Sequence, residues 1–453
     1  GYRAAQVLAA GLPSGWRVVL VDRNSHFNHV YNLPRYAVLP GHEHKAFIPY
    51  DNLFNNPSFS SPSLPGHKRI HATITALHPH HITYIEHQVT PTSDSPSPLQ
   101  RAEDKNQEQM LHFDYAIYAL GSHLPAPIDL WGSRNHQPDG DVGPPISRSI
   151  DCATHSEPRK NSLRPYTGTK LEGVSWLRSR QRKVEEARNV VVVGGGALGI
   201  QFASDLAAIH PRKCVTLLHS RSRLLPKFDE ALGNEVLQGL QELGVHVILG
   251  ERLDMSSLKD DGGTGGARAA KTMKGRELNA DLLLFCTGQT PNTSLLHSMD
   301  PGTINPESGM VRVSRSMQVE AQPSPTPSSP RTLYGTVPPS PPRLRIYPQF
   351  FAIGDVADAF GAIKAGHTAY YQGQVAARNV VRLVKRHEAA ENLELEEYTP
   401  GPPMIRVSLG LTKSAYEVAG VVGTKDDGTE DLGAEMIWGT YGYRDVDEEG
   451  MWR

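Results

Sequence analysis

The stretch Val190-Val-Val-Val-Gly194-Gly195-Gly196-Ala197-Leu198-Gly199 decides how this chain is read. Its valines form a continuous β-branched run, the pattern of a strand buried on both faces. The glycines follow as GxGxxG, and a helix is expected over Leu198–Ile209. In that setting each glycine has a task. Gly194 permits a tight turn, Gly196 lets the backbone approach a pyrophosphate, and Gly199 lets helix and strand pack closely. The helix N-terminus then offers unpaired N–H groups and the positive end of its dipole to the phosphates.

The residue that closes the next strand sets which dinucleotide fits. About 20 residues past such a loop, an acid usually holds a ribose 2′-hydroxyl. Here Cys214-Val-Thr-Leu-Leu-His219 ends on His219, followed by Ser220, Arg221 and Arg223. An acid would repel a 2′-phosphate; two arginines admit one. Both NADH and NADPH stay open, with a slight lean to NADPH.

Outward from this motif, short apolar runs alternate with helical patterns. Arg17–Asp22, Val215–Leu218, Val245–Leu249, Asp281–Phe285 and Phe350–Ile353 read as buried strands. Tyr2–Ala10, Asp229–Leu243 and Ala365–Val384 read as helices. The alternation predicts an α/β fold of doubly wound parallel sheets. Ile70–Leu77 and His81–His87 alternate in polarity and predict an antiparallel pair added to one sheet. The chain begins with Gly1 and an amphipathic helix, and the next strand ends on Asp22, where a ribose-binding acid belongs. Gly1 therefore reads as the last glycine of a second GxGxxG whose strand and first two glycines would precede it.

Composition excludes several classes. The chain has 453 residues, a formal net charge of -2 and 38% hydrophobic residues, which suits a globular protein rather than a strongly basic nucleic-acid binder. Cys152, Cys214 and Cys286 are too few and too far apart for a disulfide scaffold or a redox pair. No apolar run reaches the roughly 18 residues that suggest a membrane span, and no signal-peptide pattern is visible. Half of the 20 histidines precede residue 88, without the ligand spacing of a zinc site, so no metal is expected. The 41 Gly and 35 Pro concentrate in part in low-complexity stretches at 91–109, 133–169, 258–276 and 321–345, all expected to be surface inserts.

The remaining motifs carry a family resemblance. Phe113-Asp-Tyr-Ala-Ile-Tyr-Ala119-Leu120-Gly121 resembles the ATG strand end of pyridine-nucleotide flavoprotein reductases. Ala280-Asp-Leu-Leu-Leu-Phe-Cys-Thr-Gly288, followed by Pro291-Asn292, resembles its second copy, and Phe350-Phe-Ala-Ile-Gly354-Asp355 resembles the closing GD motif. Within that superfamily, His26-Phe-Asn-His29, the run Gly41–Tyr50 and the pair His219-Ser220 resemble apoptosis-inducing-factor-like proteins, especially the ferroptosis-suppressor (AMID-like) NAD(P)H:quinone oxidoreductases.

The resemblance implies two Rossmann-like dinucleotide-binding domains in the FAD/NAD(P)-linked reductase fold. The FAD domain would comprise 1–172 and 287–399, the inserted NAD(P)H domain 173–286, and a small C-terminal α+β segment 400–453. In that last segment Met404–Leu409 and Val418–Val422 read as strands. Gly1, Asp22, Arg23, Gly121, Gly354 and Asp355 would hold FAD. Gly194, Gly196, Gly199, His219, Arg221 and Gly288 would hold NADH or NADPH. Lys45 would face the flavin and stabilise its reduced anionic form. The implied partners are the nicotinamide nucleotide and a quinone-like acceptor, with no nucleic acid. The implied location is cytoplasmic, with peripheral association with mitochondrial or lipid-droplet membranes left open. A nucleotide-binding signalling protein with little turnover is the rival reading. Two departures from the pattern stand out: the first ATG is Ala119-Leu120-Gly121, and Gln201 stands where relatives often carry Glu, which removes a side-chain base there.

Overall fold

A computed structural model describes residues 1–55, 66–87, 107–123, 168–258, 268–323, 344–389, 392–426 and 428–453. The chain divides into two compact units: 1–25, 51–122 and 290–401 form the first, and 26–50, 123–289 and 402–453 the second.

In the first unit, Val19–Asp22 pairs in parallel with Lys68–Leu77, in the register Asp22↔His71. His81–Glu86 and Gln109–His112 extend this sheet antiparallel, as the alternation of the two hairpin segments predicts. A second sheet sets Arg345–Ala352 between Gln318–Ala321 and Ala116–Tyr118, the last of these parallel to it. Phe350, Phe351, Ala352 and Ile353 are all buried. The helices Tyr2–Gly11 and Gly366–Ala389 pack together through small residues, Gly373 lying against Ala4.

In the second unit, a four-stranded parallel sheet runs in the order His246–Leu249, Cys214–His219, Asn189–Val193, Leu282–Phe285. The valine run therefore lies inside the sheet, with neighbours on both sides, which is why it carries no polar alternation. Helices Ala197–Ile209 and Glu230–Glu242 follow its first two strands. Leu206, Leu217, Leu232, Val236 and Leu240 close the core between these layers.

The second half of the expected insert at 258–276 is corrected here. Arg268–Thr272 is a strand, paired antiparallel with Glu277–Ala280 and with Leu253–Asp254. Its glycine-rich approach hides a short hairpin, because Gly275, with a φ of 84°, makes the turn. The inserts expected at 91–109, 133–169 and 321–345, together with Cys152, lie mostly or wholly outside the described residues. Where 133–169 ends, Thr169 caps a helix over Lys170–Glu186, with Glu172 closing a capping box.

The division differs from the expected domain boundaries in more than one place, since 123–172 and 287–289, expected with the first domain, also fall in the second unit. Residues 26–50 group with the second unit, and so does the C-terminal segment, whose sheet Ile405–Leu409, Lys413–Val418, Val421–Asp426 packs against helix Ala197–Ile209. The reason is a set of buried polar side chains. Arg35 is fully buried and donates to Asp205 at 2.7 Å and to the carbonyls of Gly410, Leu411 and Glu430. Lys170 donates to the carbonyls of Phe47, Met451 and Arg453, with the Trp438 ring 5.1 Å away. Val418–Val422, expected as one strand, is also corrected: Ala419 and Gly420 both have positive φ and form the two-residue turn of a hairpin.

Candidate functional site

The glycine loop of the second unit can be tested glycine by glycine. Gly194 has a φ of 122°, and a Cβ there would lie 2.4 Å from the Cys286 carbonyl oxygen. A Cβ on Gly199 would lie 1.8 Å from the Gly194 carbonyl oxygen, so helix and strand meet at a distance only glycine allows. Gly196 differs from both. It is the N-cap of helix Ala197–Ile209, and a Cβ there would meet nothing within 4 Å. Turn and packing thus account for the outer two glycines. The middle one borders open space at a helix N-terminus, which fits a backbone kept bare for a diphosphate.

The neighbouring strand end holds the loop in shape. The Gly194 N–H donates to the Leu218 carbonyl at 2.8 Å. The Gly195 N–H donates to His219 Nδ1 at 3.0 Å, and the Gly195 carbonyl accepts from the Leu225 N–H at 3.3 Å. A Cβ on Gly195 would strike Leu224 and the His219 ring. Burial, and then the nearby Arg221 charge, hold the imidazole below its usual range, while the Arg223 backbone works the other way. His219 is therefore neutral and already bonded to the loop.

The two arginines have different surroundings. Arg223 donates to the carbonyls of Phe228 and Pro226, both at 2.9 Å, so it braces its own loop. The Arg221 side chain is exposed and has no ion-pair partner among the described residues. Gly288, with a φ of 137°, follows the strand Leu282–Phe285 and has open space around it. Burial pushes the Cys286 thiol far up, which favours its protonated form over the nucleophilic thiolate.

In the first unit the residues expected at a second nucleotide also lie at strand ends. Asp22 closes its strand, and its Oδ1 accepts from the Asn24 N–H at 2.9 Å. The next carbonyl, that of Arg23, lies 3.0 Å from His71 Nε2. Gly1 caps helix Tyr2–Gly11, and a Cβ there would make ordinary contact with Ala119. Gly121 and Gly354 have φ of 62° and 78°, which favours glycine at both turns. The Gly354 N–H donates to the Gln372 side chain at 2.7 Å. Burial raises the Asp355 carboxyl above its usual range, opposed by the Ser122 hydroxyl, which donates to it at 3.1 Å, and by the Lys364 charge. A half-buried carboxyl with one hydroxyl donor retains acceptor capacity for a sugar-like chain of hydroxyls.

Motif reading alone did not reveal what holds the first ATG strand end. Asn292 donates its N–H to the Gly121 carbonyl and its side-chain amide to the Leu120 carbonyl, while its own carbonyl accepts from the Tyr118 hydroxyl. The Pro291-Asn292 pair marks the place in sequence without revealing this clamp.

Lys45 belongs to the second unit. Its ammonium lies 3.3 Å from Asp431 and 4.0 Å from Glu448, while the Trp438 indole N–H donates to its carbonyl at 2.9 Å. These partners give Lys45 a place in the scaffold of its own unit; they do not test the flavin-facing role expected for it. Gln201 donates to the Tyr31 carbonyl at 3.3 Å, and its side chain also hydrogen-bonds the Asp205 carboxyl.

The chain is similar in sequence to several named proteins. Fe-regulated protein 8 of Mycosarcoma maydis is 38% identical over 444 residues, covering 97% of this chain and 91% of that protein. Apoptosis-inducing factor homolog B of Dictyostelium discoideum is 25% identical over 425 residues, 90% of this chain and 85% of that protein. Ferroptosis suppressor protein 1 of Homo sapiens is 27% identical over 240 residues, 53% of this chain and 56% of that protein. Among solved structures, a NAD-dependent persulfide reductase from A. fulgidus superposes with a TM-score of 0.55 at 17% identity, covering 92% of this chain and 61% of its own. At that identity the likeness shows the fold. The profile of the family described as pyridine nucleotide-disulphide oxidoreductase matches residues 1–324, and the chain belongs to that family.

Proposed function

We propose that the protein is a flavin-dependent oxidoreductase that oxidises NAD(P)H and delivers the electrons to a quinone-like acceptor. FAD and NADH or NADPH are the cofactors of this reading. Asp22, Arg23, Gly121, Gly354 and Asp355, with Gly1, would hold FAD. Gly194, Gly196, Gly199, Arg221 and Gly288, with His219 behind the loop, would hold the nicotinamide nucleotide. Bound FAD supplies the redox chemistry, accepting a hydride equivalent and passing electrons on. The chain's own residues bind and orient; no protein base is required, so Gln201 does not impede the reaction.

One observation carries this reading: Gly196 stands bare at a helix N-terminus, between two glycines that packing and turn geometry already explain. The quinone-like acceptor rests on the resemblance to the ferroptosis-suppressor group. Among the described residues no helix is long and apolar enough to cross a membrane.

The test is spectroscopic. The purified full chain, loaded with FAD, is mixed anaerobically with NADH or NADPH, and a short-chain quinone is then added. Bleaching of the flavin by nucleotide and its recovery with quinone are expected. A chain that binds nucleotide without bleaching would sustain the signalling reading instead. Bleaching without recovery would remove the quinone.

A further inference from the structure

We infer that residues 447–453 form a strap held shut over His44, and that protonation of this imidazole releases the strap. No part of this rests on the redox reading: the ring, the strap and the groups around them all lie in the second unit, away from any requirement for nucleotide or flavin.

Trp452 is the covering group. Its ring lies over that of His44, with centroids 4.2 Å apart and planes inclined by 7°. The Arg178 guanidinium stands 5.7 Å from the Trp452 ring, and the indole itself is 43% exposed, while His44 beneath it is 1% exposed. The strap closes on itself in a short turn, Gly450–Trp452. There the Met451 N–H donates to the Asp447 carbonyl and the Trp452 N–H to the Glu449 carbonyl. Few groups tie this turn down. Lys170 donates to the carbonyls of Met451 and Arg453, His26 Nε2 lies 3.2 Å from the latter, and the Met451 side chain packs with Ile48 and Trp438. A short segment with one buried apolar anchor belongs to the parts of a fold that open locally.

The closed strap accepts only a neutral His44. Neither ring nitrogen has a hydrogen-bond partner among the described residues, so an imidazolium would bury two N–H donors and a charge without an acceptor. Burial is the largest opposing factor, followed by the charges of Lys170, from helix Lys170–Glu186, and of Lys45 on the same turn as His44. Glu448 and Glu43 favour the charged ring, but both are engaged elsewhere. Glu43 accepts from the Gln181 amide at 2.8 Å and from the Gly41 N–H at 3.1 Å, and Glu448 lies 4.0 Å from the Lys45 ammonium. Lifting Trp452 admits water to the ring and removes the burial penalty. The closed form thus binds fewer protons than the open one, and closure weakens as pH falls. Stack and proton exclude each other, which makes the strap a two-state element that an imidazole can operate.

Hydrogen exchange of the full chain tests this, read by mass spectrometry on the peptide spanning 447–453 and corrected for the intrinsic rate at each pH. Between pH 7.5 and 5 the protection of that peptide is expected to fall roughly thirtyfold, the ratio set by an imidazole held at about 4 when covered and near 6.5 when open. Strand Asn189–Val193 of the same unit should keep its protection. His44→Phe leaves a ring under Trp452 without a titrating group, and its strap should stay protected at both pH values. Trp452→Ala should show low protection at both, with a His44 that titrates in the ordinary range by NMR. Equal protection of the parent strap at the two pH values would overturn the inference. So would a fall shared by Asn189–Val193, the same fall in His44→Phe, or a His44 still held near 4 in Trp452→Ala.

Discussion

The glycine loop and the segment 26–50 both lie in the second unit, and they hold their shape by opposite means. The loop is built from absent side chains: bare Cα atoms let one backbone approach another, and one imidazole braces the result. Gly195 and His219, which meet there, are 24 positions apart. The segment is built from large charged side chains taken out of water. Arg35 reaches Asp205 across 170 positions, and Trp438 reaches Lys45 across 393. Steric demands of the first kind leave a local pattern in the sequence. Electrostatic demands of the second kind do not, because any Arg and any Asp look alike until the fold brings them together.

The comparison predicts unequal costs of disruption, and Arg35 should be the most expensive residue to lose. Arg35→Met leaves the Asp205 carboxylate without its countercharge and three backbone carbonyls without their donor. Burial pushes the Asp205 carboxyl up to about 6, against the pull of Arg35. Removing the guanidinium from a pair this buried costs about 3–5 kcal/mol. Urea unfolding should show it as a lowered midpoint at unchanged slope. The double variant Arg35→Met/Asp205→Leu should recover much of the loss, since a buried ion pair replaced whole is often near neutral. A single-variant cost below about 1 kcal/mol would mean that the segment is not anchored as described.

The loop should respond on a smaller scale and in two different ways. A methyl group on Gly199 would collide with the Gly194 carbonyl, so Gly199→Ala should cost about 1–3 kcal/mol and weaken nucleotide binding. Gly196 has a φ of -87°, a conformation alanine accepts, and has open space around it. Gly196→Ala should therefore leave stability close to the parent's, within about 0.5 kcal/mol, because the smaller entropy of the unfolded chain is set against a poorer N-cap. Its nucleotide affinity should fall all the same, because the methyl group occupies the room reserved for the diphosphate. Thermal melts and nucleotide titrations of the two variants check both halves. Gly196→Ala binding as well as the parent would remove the diphosphate from that place.

The same contrast explains what the sequence made legible. The valine run, its glycines and the Asp22 strand end were readable because each rests on a local steric rule. His219 was readable as the end of the strand beside the glycine loop, but not as a loop brace, since which ring nitrogen bonds to what is a three-dimensional fact. Helix Lys170–Glu186 escaped because its charged, Arg-rich face masks its periodicity; Thr169 and Glu172, three residues apart, were the available signal. The turn at Ala419-Gly420 escaped because Val-Ala-Gly-Val reads as one apolar run, and alanine at positive φ is unusual. The grouping of residues 26–50 with the C-terminal sheet had no signal at all. It depends on Arg35 and Lys170, long cations of a kind that is almost always solvated.

The last expected effect concerns pH, and it tests whether the charged segment is as dry as its ion pair implies. His44 is 1% exposed and stacks on Trp452 with ring centroids 4.2 Å apart. Neither of its ring nitrogens has a hydrogen-bond partner among the described residues. Burial, then the Lys170 and Lys45 charges, push it down to about 4, while Glu448 and Glu43 oppose the shift. The unfolded chain, with an ordinary imidazole, binds more protons than the folded one between about pH 6.5 and 4. The stability that neutral His44 contributes is therefore fully present above pH 6.5 and is lost as pH falls toward 4, by up to roughly 3 kcal/mol. His44→Phe keeps an aromatic ring on Trp452 and removes the titration. Its melting temperature should fall less steeply than the parent's between pH 7 and 4.5. Parallel curves for the two proteins would show that water reaches His44, and that the segment's charges are less isolated than the Arg35 pair requires.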